Sequence, residues 1–241
     1  MKWSREYSIN ANNADCNKIV SASSLFRFMQ DAADRAMAED TPSFDELYSR
    51  GLTFILLSVR LSSYSPIYAH DTVEVQTWAC ESKGVGYERC FRFIKNGVIV
   101  AEAVSLWVLY GVNDRRIHRG SEISAHYRTD CMLDLELPAR RGIPDDVELV
   151  LRGERTVEYA DIDVNGHMNN TRYPDILCGY LGQSMKGMRV ISFSVSFVSE
   201  AVLGDTVKYY SGTSDGIWYV RSVRGDGRVN AEAEIILEPV E

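Results

Sequence analysis

The chain has 241 residues, 45% hydrophobic, 25% charged and 10% aromatic, a composition suited to one large globular domain or two small ones. A formal net charge of -8 and a pI of about 5.1 exclude nucleic-acid or anionic-membrane binding driven by bulk charge. No apolar run approaches membrane-spanning length, the N-terminus is too polar for a signal peptide, and Cys16, Cys80, Cys90, Cys131 and Cys178 form no CxxC pair, so a cytoplasmic chain with reduced thiols is expected.

In chain order, Ser21 or Ser23 can cap a helix that carries Leu25, Met29, Ala32 and Ala36 on one face. Strands are predicted over 53–63, 72–82, 88–94 and 98–109, the last two joined by a two-residue turn at Asn96-Gly97. A Pro- and Gly-containing stretch of mixed charge, with Pro138, Gly142 and Pro144, reads as a linker over 126–150 between halves 1–125 and 151–241. The second half opens on a strand over 152–159. Asn169 or Asn170 then caps a helix with Tyr173, Ile176, Leu177, Tyr180 and Leu181 on one face and Pro174 in its first turn. Strands follow over 190–198, 206–212, 217–223 and 229–237, with a second two-residue turn expected at Asp226-Gly227. In the first of these, Ile191, Phe193, Val195 and Phe197 alternate with serines, as in a sheet with one covered face.

The halves echo each other. Asn96-Gly97 and Asp226-Gly227 differ by 130 positions (226 − 96), as do Ala101-Glu102-Ala103 and Ala231-Glu232-Ala233 (231 − 101). Asp71-Thr72-Val73 returns as Asp205-Thr206-Val207, 134 positions on (205 − 71). Each half is one apolar-faced helix followed by an antiparallel meander. The pattern suits an α+β double hotdog, two tandem sheets each wrapping a central helix.

The densest chemistry lies in residues 161–170, Asp-Ile-Asp-Val-Asn-Gly-His-Met-Asn-Asn. Asp163, Asn165 and His167 bring an acid, an amide and an imidazole to a helix start, where free N–H groups can polarise a carbonyl. Asp161, Asp163, Asn165 and Gly166 also match the opening of an EF-hand loop, but its twelfth position needs a bidentate Glu and here is Arg172. No zinc site is expected, since His70, His118, His126 and His167 lack paired ligand spacing. Cys178 is about three helical turns beyond His167, too far for a Cys–His pair, and reads as a buried thiol. Capping explains Asn169 and Asn170 but gives no reason for a histidine, which favours catalysis. The first half has only Asp15, Cys16 and Asn17 before its helix, with no histidine. One half is therefore expected to do the chemistry.

Residues 161–173, ending in Tyr173, resemble the motif of the acyl-acyl carrier protein thioesterases. Met29-Gln30-Asp31-Ala32-Ala33, Asp71-Thr72-Val73-Glu74-Val75, Ser105-Leu106-Trp107-Val108-Leu109 and Arg115-Arg116 extend the resemblance over almost the whole chain. It implies hydrolysis of a fatty acyl thioester on acyl carrier protein, with chemistry in the C-terminal hotdog, an acyl tunnel shaped by the N-terminal one, and no cofactor. The implied catalytic residues are Asp163, Asn165, His167 and Glu200. Plant relatives often carry a cysteine directly after that glutamate; here it is Ala201, so a thiolate nucleophile at that position is unavailable. Plant relatives also carry a transit peptide, and its lack here implies a bacterial-type cytosolic enzyme.

On this reading Glu200 or His167 is the general base, Asn165 orients water or carbonyl, and backbone N–H groups of residues 167–169 supply oxyanion donors. Asp163 sets the His167 tautomer or holds the loop. Direct carboxylate attack is the competing route. Phe26, Met29, Phe54 and Trp107 are candidate tunnel walls, residue types that also make plain core. Arg115 and Arg116, with Arg119, Arg140 and Arg141, are candidates for docking an acidic carrier. A fused hotdog pair suffices as a monomer, with a homodimer as the other expectation. The alternative functions are an acyl-CoA thioesterase or other acyl-CoA hotdog enzyme, and a non-catalytic acyl-binding module.

Overall fold

The computed structural model describes residues 2–80, 84–119, 127, 129–135 and 142–240. His126, Arg140 and Arg141 lie outside the described residues. Strand β1 (Trp3–Ser8) precedes helix α1 (Ala22–Glu39), a short helix α2 (Phe44–Ser49), and strands β2 (Leu52–Ser63), β3 (Thr72–Ala79), β4 (Gly86–Lys95), β5 (Val98–Gly111) and β6 (Ile117–His118). The second half contributes β7 (Val150–Thr156), α3 (Tyr173–Gly179), β8 (Met188–Phe197), β9 (Thr206–Ser214), β10 (Ile217–Arg224) and β11 (Val229–Pro239). The polar edge strand β1 was not foreseen; four of its six residues are exposed, so it shows little of the apolar alternation that marks a strand.

All the strands form one sheet in the order β1-β3-β4-β5-β2-β8-β11-β10-β9-β7, with β6 paired to β5. Each half has the same internal order, and the halves meet where β2 pairs antiparallel with β8, Val59 opposite Val195 and Leu61 opposite Phe193. Inward residues of both halves join a single core with the buried face of α1, which includes Leu25, Phe26, Met29, Ala32 and Ala33. Phe26 meets Phe193 edge-on at 5.7 Å between ring centres. The serines of β8 face the other side, where Ser194 approaches Glu234, itself paired to Arg60. A smaller apolar cluster on the opposite face of the first-half sheet joins Trp78, Cys80, Cys90 and Val104 to Leu133, and Trp78 Nε1 donates to the Cys131 carbonyl.

Two expectations are corrected. The turn between Lys95 and Val98 has two residues with Asn96 and Gly97 both at positive φ, but the turn between Arg224 and Arg228 has three, Gly225, Asp226 and Gly227. The two-residue turn of the second half is Asp215-Gly216, again with both φ positive. The second helix is also much shorter than its apolar stripe suggested. It ends at Gly179 after seven residues, and Gly182 at φ 59 turns the chain away. Tyr180 and Leu181 therefore follow the helix, though both still pack on the core.

Candidate active site

After β7 the chain makes a 3₁₀ turn at Tyr159–Asp161, and the loop that follows folds back on itself. The Asp163 N–H donates to the His167 carbonyl (3.0 Å), and the Gly166 N–H to the Asp163 carbonyl (3.0 Å). Gly166 sits at φ 81, where a side chain is disfavoured. Asp163 Oδ1 accepts the Asn165 N–H at 2.8 Å, an Asx turn that fixes the loop's shape. Asn169 provides the cap, its Oδ1 accepting from the backbone (2.9 Å) and hydroxyl (2.8 Å) of Thr171.

A second loop, residues 198–205, lies alongside. His167 forms a bridge pair with Val202, and the Met168 N–H donates to the Ala201 carbonyl at 2.8 Å. This pairing sets His167 Nε2 3.0 Å from Glu200 Oε2, across 33 positions of sequence (200 − 167). The imidazole is 35% exposed and the carboxylate 62%, so water and a substrate can reach the pair. Asn165, two residues before His167 in the same loop, is exposed. Ala201, directly after Glu200, is fully buried.

The calcium resemblance has a structural explanation. Asp161 is buried, pairs with Arg155 at 2.6 Å and with Arg172 at 3.8 Å, and accepts the Glu158 N–H at 3.0 Å. The arginine that spoils the twelfth ligand position thus neutralises the first. No cluster of three metal-ligating side chains occurs among the described residues.

The expected oxyanion donors need correction. The Met168 N–H is engaged by Ala201, and the Asn169 N–H donates to the Asp161 carbonyl at 2.9 Å. The helix starts only at Tyr173, so its N-terminus does not coincide with His167. Of residues 167–169, only His167 keeps a backbone N–H with no partner among the described residues.

A residue that sequence reasoning missed holds the Glu200 segment. Asn230, fully buried in β11, donates from Nδ2 to the Ser199 carbonyl (2.5 Å) and to Tyr173 Oη (2.9 Å). Its Oδ1 accepts the Ser222 hydroxyl at 3.0 Å, and its carbonyl accepts the Val198 and Ser199 N–H groups. Burial pushes the Tyr173 phenol up to about 12, so it stays neutral. An asparagine inside a strand, where that residue is depleted, is the signal that could have exposed it.

The first half contains the same two loops without the pair. Asp15 Oδ1 accepts the Asn17 N–H at 2.8 Å, the Asp15 N–H donates to the Ile19 carbonyl at 2.8 Å, and the Val20 N–H donates to the Ile67 carbonyl at 2.8 Å. Ile19 bridges Tyr68 as His167 bridges Val202. Asp71 accepts the Tyr68 N–H as Asp205 accepts that of Val202. Asp15 and Asn17 thus stand where Asp163 and Asn165 stand, while Ile19 replaces His167 and Pro66 replaces Glu200.

Among the other candidates, Phe26 and Met29 are buried in the core, and Trp107 packs on its margin. Phe54 belongs to a separate cluster with Leu47, Leu109 and Tyr87. Since Ser58 pairs with Ser196, the β2 segment 52–56 runs past the end of β8, bringing Phe54, Trp107 (opposite Leu56) and the turn after β5 to the sheet end where the Glu200 loop leaves. Arg115 and Arg116 are exposed in that turn, as is Arg119 beyond β6.

This duplicated helix-on-sheet architecture, one long antiparallel sheet with its helices packed together, is a double hotdog. Residues 1–127 match the Acyl-ACP thioesterase N-terminal domain and residues 146–238 the Acyl-ACP thioesterase C-terminal domain, and the chain belongs to that family. It resembles the structure of an acyl-ACP thioesterase from Bacteroides thetaiotaomicron with a TM-score of 0.88 at 20% identity, covering 98% of each chain. It also resembles the 12:0-ACP thioesterase from Umbellularia californica with a TM-score of 0.81 at 20% identity, covering 99% of this chain and 98% of the other. Among curated relatives, the chloroplastic dodecanoyl-[acyl-carrier-protein] hydrolase of Cinnamomum camphora is 26% identical over 155 residues, covering 61% of this chain and 41% of the relative. The chloroplastic palmitoyl-acyl carrier protein thioesterase of Cuphea hookeriana is 29% identical over 141 residues, 53% of this chain and 33% of its own length. The chain thus covers well under two thirds of these curated relatives.

Proposed function

We propose that this protein hydrolyses the thioester between a fatty acyl chain and acyl carrier protein, releasing the free fatty acid. The observation that carries the reading is the His167–Glu200 pair at 3.0 Å, in the half whose counterpart loop has isoleucine and proline instead. Glu200, the more exposed partner, takes a proton from water as the water oxygen attacks the thioester carbonyl. His167 holds the carboxylate through Nε2. The C–S bond then breaks and the carrier's thiol leaves with the proton. Asn165 orients the water or the carbonyl, and the His167 N–H is a donor available to the developing oxyanion. Asp163 keeps the loop in shape through its Asx turn.

Arg115, Arg116 and Arg119, exposed toward one end of the sheet, suit an acidic carrier despite the net charge of -8. Phe54 and Trp107, at the same end, line the way in for the acyl chain, with Phe26 and Met29 deeper. One chain supplies both hotdogs, so the monomer is the working unit. Five free cysteines, with the Cys80 and Cys90 thiols sharing a hydrogen bond at 3.3 Å between sulfurs, suit a reducing cytoplasmic setting. Among the described residues no helix is long and apolar enough to cross a membrane. Matched acyl-carrier and acyl-CoA substrates test the reading. Faster turnover of the carrier substrate, weakened by salt, is expected, while equal or faster turnover of the CoA ester would point to an acyl-CoA enzyme.

A further inference from the structure

The duplicated site leaves a cavity on the side that lacks the His–Glu pair. It has a volume of about 460 Å³, within the range of small-molecule sites. One wall is the first-half loop with Ile19, and the floor is apolar, with Leu25, Leu61, Ile67, Cys178 and Met185. The space exists because the second helix is cut short. α1 runs for 18 residues where α3 stops after seven, and the glycines that end it, Gly179 and Gly182, both line the cavity. Burial pushes the Cys178 thiol up to about 12, so it offers the cavity a neutral surface.

At the mouth stand Arg27 and Arg189. Arg189 is fully engaged by Glu238, Ser63 and the Tyr64 carbonyl. Arg27 is held only loosely, by Asp175 at 3.8 Å and the Ser24 hydroxyl at 3.5 Å, and its side chain is 41% exposed. Asp15, the other acid on the wall, spends Oδ1 on the Asn17 and Ile19 N–H groups. An apolar floor with one under-used guanidinium at its rim matches a fatty-acid carboxylate. The loop beside it keeps the backbone form of the catalytic loop but has Ile19 and Pro66 where the His–Glu pair stands in the second half.

We propose that this cavity is a second, non-catalytic site that binds free fatty acid, its carboxylate against Arg27 and its chain over Ile19, Leu25 and Leu61. The proposal rests on the thioesterase reading, since the ligand is that reaction's product. Gly179 provides a clean test, because it lines the cavity, a Cβ built there meets no atom within 4 Å and its φ is ordinary, so the backbone accepts a side chain and Gly179→Phe adds a ring at the cavity wall. The probe is ¹³C-carboxyl decanoate, counted per chain by NMR titration, with hydrolysis of an acyl-carrier substrate measured separately. We expect Gly179→Phe to remove one bound decanoate per chain and leave turnover without added fatty acid unchanged. Arg27→Gln should weaken that same site at least fivefold. An unchanged count in folded Gly179→Phe, together with unchanged affinity in Arg27→Gln, would overturn the site. Absence of hydrolysis would strike the thioesterase reading alone, because the decanoate count does not depend on turnover.

Discussion

Replacing Glu200 by glutamine separates chemistry from folding. The amide keeps the size of the side chain and can still accept a hydrogen bond from His167 Nε2, now 3.0 Å from Oε2, but it cannot take a proton. The backbone bonds that hold the loop, Met168 N–H to Ala201 and Asp205 N–H to Val202, do not involve the carboxylate. At 62% exposure of the carboxylate the His167–Glu200 contact contributes at most about 1 kcal/mol to stability. For a chain of this length that corresponds to a melting shift of at most about 2–4 °C. Loss of a general base costs about 10² to 10⁴ in rate, or about 3–5 kcal/mol of barrier. Turnover read from the carrier thiol released should therefore fall at least a hundredfold while the melting temperature hardly moves. Because the two groups act as a unit, Glu200→Gln combined with His167→Ala should be little worse than the poorer single variant. A Glu200→Gln protein keeping more than a tenth of wild-type turnover would refute the assignment.

Asn230→Ala strips buried partners from Tyr173, Ser199 and Ser222, and should cost about 2–4 kcal/mol in denaturant unfolding and lower kcat more than it changes KM. Tyr209 is fully buried, stacked on Tyr180 at 4.2 Å, and its hydroxyl has no partner among the described residues. Tyr209→Phe should accordingly be neutral or stabilising by up to about 1 kcal/mol in a thermal melt. Burial alone would raise the Asp71 carboxyl, but the bonds from Lys95 and the Tyr68 N–H outweigh it and hold the group below its ordinary value. That stabilisation is present above the unfolded-chain value of about 4 and is lost as pH falls through the folded value. Asp71→Asn should thus cost about 1 kcal/mol at pH 7, with the gap to wild type closing in acid, as urea titrations at both pH values would show. Native thiol labelling should be fast at Cys16 and Cys131, which are exposed, and slow at buried Cys80, Cys90 and Cys178; mass mapping of the adducts checks this.

What the sequence determined by itself was local. The apolar stripe of α1 is read by one helix face, the alternation in β8 by one sheet face, and the positive-φ turn at Asn96-Gly97 by two residues, so neighbours in the chain suffice. The Asx turn at Asp163 is equally local, which explains why its twin at Asp15 persists without any chemistry beside it. The resemblance of the motif carried Glu200 into the candidate site, but its 3.0 Å contact with His167 exists only because two distant loops pair through Val202 and Ala201. Tertiary structure also decided what no window of sequence contains. It joined β2 to β8 and set Asn230 behind Glu200, and it turned Asp161 from an apparent calcium ligand into the partner of Arg155 and Arg172. These contacts are long-range, and burial gives a polar side chain a strong need for a partner without saying where along the chain that partner lies.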